Sequence, residues 1–162
     1  MLNGGIHAWA NEDYPLAEAP ARSTVSHYEA QILGDAAADK DYILGRINSP
    51  DVVFLDIRTP EEYQGINVRA ERGGHIPGAV NFNWVNAVDQ ERNLRLRRAE
   101  ELRPLLEAAG ATPDKEVIAY CQTHHRSSHT YVVLKSLGYP RIKGYPGAWS
   151  EWGNLADTPV EV

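Results

Sequence analysis

Two short, uninterrupted apolar runs organise this chain. Val52-Val53-Phe54-Leu55 and Val117-Ile118-Ala119-Tyr120 are each four residues long and bounded by polar positions. A strand buried on both faces has this pattern. Residues 28–32 and 141–143 predict shorter strands. Between them lie helix signals. Asp35 is placed to cap a helix over 36–47, with Ala38, Tyr42, Ile43 and Ile47 on one face. Thr59-Pro60-Glu61-Glu62 reads as a capping box with proline at the first helical position. Residues 100–109 predict a helix with Leu102, Leu105 and Leu106 inward, ended by Gly110, where Pro104 argues for a kink or a late start. Residues 127–137 predict a further helix, ended by Gly138. Residues 73–78 form a turn around His75 and Pro77. Strands alternating with helices of this length predict an α/β fold with a mostly parallel sheet.

The 162 residues suit one domain with a little left over, and 43% hydrophobic with 23% charged residues is ordinary globular composition. A net charge of −6 gives no overall basic field, so nucleic acid is not an expected partner. No apolar run approaches the ~18 residues needed to cross a membrane, so no membrane association is expected. Met1-Leu2-Asn3-Gly4-Gly5 lacks the basic flank and apolar core of a secretion signal. A single cysteine forms no internal disulfide, which favours a reducing, cytoplasmic location.

The first 20 residues read as the end of something. Leu2-Asn3-Gly4-Gly5-Ile6-His7-Ala8-Trp9 and Ile142-Lys143-Gly144-Tyr145-Pro146-Gly147-Ala148-Trp149 share an apolar residue, a glycine and Ala-Trp at matching offsets. This pattern points to an internal repeat. Pro15 and Pro20, with Ala and Glu between them, read as a linker.

Cys121 directly follows the second apolar run, and ligands of open parallel sheets bind beyond the carboxyl ends of strands. The connection Cys121-Gln122-Thr123-His124-His125-Arg126 leads into the helix predicted from Ser127. Its length suits a loop curled around one sulfur, with backbone N–H groups and the positive helix end favouring an anion. Free cysteine titrates near 8.5, and helix N-termini bring it to roughly 3.5–7.5. Arg126 in a first helical turn makes sense beside an anionic substrate. His125 and His129 are one turn apart, and with Cys121 they hint at zinc. No second cysteine or paired carboxylate completes such a set, so no metal is expected.

These residues resemble the rhodanese (thiosulfate sulfurtransferase) family. Leu55-Asp56-Ile57-Arg58 with Glu62-Tyr63, Gly74-His75-Ile76-Pro77-Gly78-Ala79, and Tyr120-Cys121 through Arg126, followed by Gly138-Tyr139 and Gly144-Tyr145-Pro146-Gly147-Ala148-Trp149, occur in the family's order. The resemblance implies a rhodanese-like three-layer domain with a mostly parallel central sheet flanked by helices. It also implies a ping-pong transfer. Cys121 attacks the outer sulfur of thiosulfate, sulfite leaves, and the persulfide passes sulfur to cyanide or a thiol, with no metal or organic cofactor. Gln122, Thr123, His124, His125, Arg126 and Ser127 would bind the persulfide. By the same resemblance Arg58 would face the donor, Asp56 would brace the loop, and His75 would be structural. Tandem members carry an inactive first domain before a catalytic second one. Residues 1–22 would then be the remnant of a preceding domain plus linker, residues 23–162 the catalytic domain, and the partner domain N-terminal and missing.

Two positions depart from common family patterns. His124 stands where many members have glycine, and neutral Gln122 where many thiosulfate enzymes have a cation. Positive charge would then come from Arg126, Arg58 and protonated histidine. Three alternatives accompany this reading: a 3-mercaptopyruvate sulfurtransferase, a non-catalytic rhodanese-like regulatory module, and a cysteine phosphatase. The last uses a Cys-x5-Arg loop, and the spacing here is one residue short. Trp84 reads as core, with a place at the pocket wall as the alternative.

Overall fold

The computed structural model describes residues 1–18, 24–31 and 34–162, with Asp35 described for its backbone only. Among the described residues six α-helices and six strands follow in chain order. They are α1 (Gly5–Asn11), α2 (Lys40–Leu44), β1 (Val52–Asp56), α3 (Pro60–Tyr63), β2 (Val80–Asn81), β3 (Val88–Asp89), β4 (Arg95–Leu96), α4 (Ala99–Ala108), β5 (Glu116–Tyr120), α5 (His125–Ser136), β6 (Ile142–Gly144) and α6 (Ala148–Trp152). The central sheet runs β2-β1-β5-β6 with every pairing parallel, and β3 and β4 form a separate antiparallel hairpin. This is the α/β arrangement with a parallel sheet that the alternation predicts.

Side chains on successive strand residues point to opposite faces. Val53, Leu55, Val117 and Ala119 therefore join Leu102 and Leu106 of α4 and Val133 and Leu134 of α5 in one core cluster. Phe54, Ile118 and Tyr120 join Ile43, Trp149 and Trp152 in the other. Both faces are buried, which is why the two strand sequences are continuously apolar.

Several local expectations need correction. Residues 28–31 form no strand, and Ile32 lies outside the described residues, as do Pro20 and the side chain of Asp35. The helix expected over 36–47 is the single stretch Lys40–Leu44. Its cap is Asp39, whose side chain accepts from the Tyr42 amide at 2.8 Å. Leu105 is 42% exposed: it follows Pro104 on the outer side of α4, while Leu102 and Leu106 point inward. Pro104 sits inside α4 and does not delay its start. The capping box at Thr59 and Glu62 is present as read.

The Ala-Trp pairs of the suggested repeat are both helical, with Ala8 and Ala148 buried. Leu2–Gly4 is a turn, whereas Ile142–Gly144 is a strand, because Gly4 takes a left-handed φ of 87° and starts its helix earlier. This N-terminal segment packs on the β3–β4 hairpin. The Leu96 amide donates to Asn3 Oδ1 at 2.7 Å, and Arg95 pairs with Glu12.

Candidate active site

Cys121 follows β5 immediately, so its position comes from the most buried strand of the sheet. It is 1% exposed. The loop after it is tied from outside. The Trp149 amide donates to the Cys121 carbonyl and the Ser150 amide to the Gln122 carbonyl, both at 2.9 Å. The start of α6 thus consumes the loop's carbonyls. The first amides of α5, at His125, Arg126 and Ser127, have no carbonyl one turn back within the helix. This end of a 12-residue helix favours negative charge on the cysteine side.

Two side chains line up on the sulfur, Ser127 next to it and His124 behind Ser127. Ser127 is fully buried, and its hydroxyl donates to Cys121 Sγ at 3.5 Å. His124 Nδ1 lies 2.8 Å from the same hydroxyl. Burial, with the charge of His125 beside it, lowers the His124 pKa from its ordinary value, so this ring is neutral near pH 7. Burial likewise lowers that of His129. The protonated histidine expected from the sequence is therefore not supplied by these two.

Arg126 lies at the rim but is not a free cation. It grips Glu62 with two hydrogen bonds, Nη1 to Oε2 at 2.6 Å and Nη2 to Oε1 at 3.0 Å. Glu62 is 1% exposed, and Arg69 Nε approaches it at 3.7 Å. Burial works against the carboxylate. The Arg126 hydrogen bond, the Thr59 amide and the charges of Arg126 and Arg69 outweigh it, and the Glu62 pKa falls to about 2. Arg126 is held charged chiefly by Glu62 and further by Cys121. Two guanidiniums against one carboxylate leave this rim positive, which suits an anion.

The remaining expected residues are dispersed. Gln122 Nε2 donates to the Arg69 carbonyl at 3.0 Å, which fastens the loop to the segment after α3. Thr123 and His125 are exposed on the outer side of the loop. Arg58, expected by resemblance at the donor, is turned into the protein. It is 1% exposed, bonded to Asp56 at 2.5–3.0 Å and to the Gly74 carbonyl at 2.7 Å, and its guanidinium lies 4.5 Å from the Trp149 ring centre. The charge of Asp56, one residue beyond the end of the β1 apolar run, draws it inward. The Trp149 that the guanidinium covers is the residue whose amide donates to the Cys121 carbonyl. His75 is structural, with its ring stacked on Tyr63 at 3.7 Å and Nδ1 2.9 Å from the Tyr63 carbonyl. Trp84 packs edge-on to His129 and lines a cavity of about 440 Å³ with Leu2, Leu94 and Leu96. Among the described residues, no group of three His, Cys, Asp or Glu side chains is placed to hold a metal ion.

Sequence reasoning missed Glu62 as the partner of Arg126 and the α6 amides as the clamp. Glu62 stood out only as a helix-capping residue, and 64 positions separate it from Arg126. The amides carry no side-chain signal at all.

Residues 39–155 match the family model described as Rhodanese-like domain. Over 164 residues the chain is 51% identical to a thiosulfate sulfurtransferase of Azotobacter vinelandii, covering 99% of this chain and 59% of that one. A thiosulfate sulfurtransferase of Pseudomonas aeruginosa is 46% identical, with the same coverage of both chains. The chain thus spans about three fifths of the length of these relatives. A solved structure of EanB with a cysteine persulfide, in a tetrahedral intermediate state with ergothioneine, superposes with a TM-score of 0.89 at 26% identity, over 99% of this chain and 41% of that one.

Proposed function

Starting from the fact that this chain belongs to the Rhodanese-like domain family, we propose that it moves sulfane sulfur from thiosulfate to cyanide or a thiol through a persulfide on Cys121. The Cys121 thiolate attacks the outer sulfur, the S–S bond of thiosulfate breaks, and sulfite leaves with the bonding pair. The acceptor then attacks the outer sulfur of the persulfide and regenerates the thiolate. The observation that carries this reading is the buried Cys121 sulfur, with a hydroxyl donating to it at the mouth of α5. The α5 amides and Ser127 are preorganised for a small anion. Arg126 and Arg69, partly neutralised by Glu62, draw the anionic donor to the rim. Asp56 and Arg58 act by bracing the loop.

In this reading residues 23–162 form the catalytic unit. Residues 1–22 are the end of a preceding domain and its linker, in a tandem protein of the kind its relatives' length suggests. The docking of the N-terminal segment on the β3–β4 hairpin, through Asn3 and Glu12, fits a domain boundary of that type. One thiol and no disulfide suit a cytoplasmic setting. The test is steady-state sulfur transfer to cyanide with thiosulfate and with 3-mercaptopyruvate, side by side. Thiosulfate is expected to give the higher kcat/KM. A preference for mercaptopyruvate would replace the donor, and no turnover with either would favour a binding module.

A further inference from the structure

His124 has a backbone conformation that its side chain does not favour. Its φ of 67° and ψ of −1° lie in the left-handed region, as the chain turns from the loop into α5. Histidine enters this region at a cost that glycine escapes. A strained residue persists where its surroundings fix it, and its position is a reason to look for what the side chain does. The His124 ring is seated against Gly144, the last residue of β6. A Cβ added there would come within 2.2 Å of His124 Cε1. A backbone without a side chain at 144 and a side chain in a strained position at 124 therefore serve one placement. That placement puts Nδ1 2.8 Å from Ser127 Oγ, and Ser127 Oγ 3.5 Å from Cys121 Sγ.

We propose that His124 is a positioning residue acting through Ser127: its Nδ1–H donates to the Ser127 hydroxyl, which is thereby turned to give its single proton to the Cys121 sulfur. A serine hydroxyl has one proton and two lone pairs. When that proton is spent on sulfur, the hydroxyl meets His124 as an acceptor, which fixes the neutral ring as the Nδ1–H tautomer. A neutral ring suffices, in line with its burial. The chain His124, Ser127, Cys121 then stabilises negative sulfur, as thiolate before transfer and as persulfide after it. It does so without placing a full positive charge inside the loop. The charged groups around it are Arg126 and Glu62 at the rim and His125 beside His124. Within the sulfurtransferase reading, on which this rests, the arrangement explains how a loop with histidine in place of glycine works.

The test follows the alkylation of Cys121 by iodoacetamide against pH, each variant being normalised to its high-pH plateau so that access cancels. Ser127→Ala should raise the midpoint by about one pH unit, slowing alkylation near pH 7 about tenfold. His124→Gly should do nearly the same while melting no lower than the parent, because glycine accepts the left-handed backbone. His124→Asn, which keeps an N–H donor and tolerates this conformation, should return the midpoint to within about threefold in rate of the parent. Combining Ser127→Ala with His124→Gly should add little to Ser127→Ala alone. A parent-like profile for His124→Gly, failure of Asn to rescue, or full additivity would each overturn the proposal. Alkylation needs no thiosulfate. A parent that takes up no sulfur would sink the sulfurtransferase reading without touching this comparison, and a parent that does so with an unmoved His124→Gly profile would sink only the relay.

Discussion

Replacing Glu62 with glutamine removes one charge and almost no volume from the centre of the Arg126–Glu62–Arg69 cluster. The Glu62 carboxyl is fully buried and its pKa is held at about 2 against an ordinary 4.5. A difference of that size corresponds to about 3 kcal/mol of stability at neutral pH. Water screens the exposed Arg69 side chain and the Arg126 rim, so about 2 kcal/mol is the better expectation. For a chain of this size that lowers Tm by roughly 4–8 °C. The folded pKa lies below the unfolded one. The contribution is therefore complete above pH 4.5 and is lost as pH falls toward 2. Urea unfolding of parent and Glu62→Gln at a series of pH values should show a gap in stability that is constant above about pH 5 and closes on acidification. A gap that keeps its size down to pH 2.5 would show that glutamine fails by shape alone, and that the charge pairing assigned to Glu62 is wrong.

Arg126→Ala should lower kcat/KM for thiosulfate about 10- to 100-fold through loss of a charge-assisted partner worth ~1.5–3 kcal/mol, while the rate constant for a neutral thiol acceptor changes little. Unchanged thiosulfate kinetics would refute a role at the donor. Gly144→Ala puts a methyl where the His124 ring lies and should shift the alkylation profile of Cys121 in the direction His124→Gly does; an unshifted profile would show that the ring is not held against residue 144. Pro104 lies in the interior of α4 without a backbone N–H to give. Pro104→Ala should stabilise the fold by about 1–2 kcal/mol, read as a higher Tm, and a loss of stability would mean the proline sets the helix geometry.

The parts of the fold that were legible in the sequence are those in which local chemistry and tertiary context agree. β1 and β5 are buried on both faces, and their sequences are apolar without interruption. The Thr59 cap and the start of α5 next to Cys121 are written in a few adjacent residues. Elements whose reason is distant were not legible. β2 is two residues long and exists because Val80 and Asn81 pair with Leu55 and Asp56. α6 starts after Pro146 and Gly147 with Ala148 at a φ of 54°, a conformation held by the loop carbonyls that its amides bind. The site follows the same division. Cys121 and the loop were visible as a strand end followed by polar residues and a helix. Arg126 was read as a partner of an anionic substrate and Arg58, by resemblance, as facing the donor. Each is held by a carboxylate, Arg58 by a neighbour two residues away and Arg126 by one 64 residues away. A sequence shows an arginine's charge but not which acid has already engaged it.

The central claim is that the sulfur of Cys121 carries the transferred atom. The direct measurement is the intact mass of the purified chain after incubation with thiosulfate and removal of small molecules. The account predicts a gain of one sulfur, about 32 Da, located on the peptide containing Cys121, absent in Cys121→Ser and reversed by cyanide. An unchanged mass in the parent, or the same gain in Cys121→Ser, would contradict it.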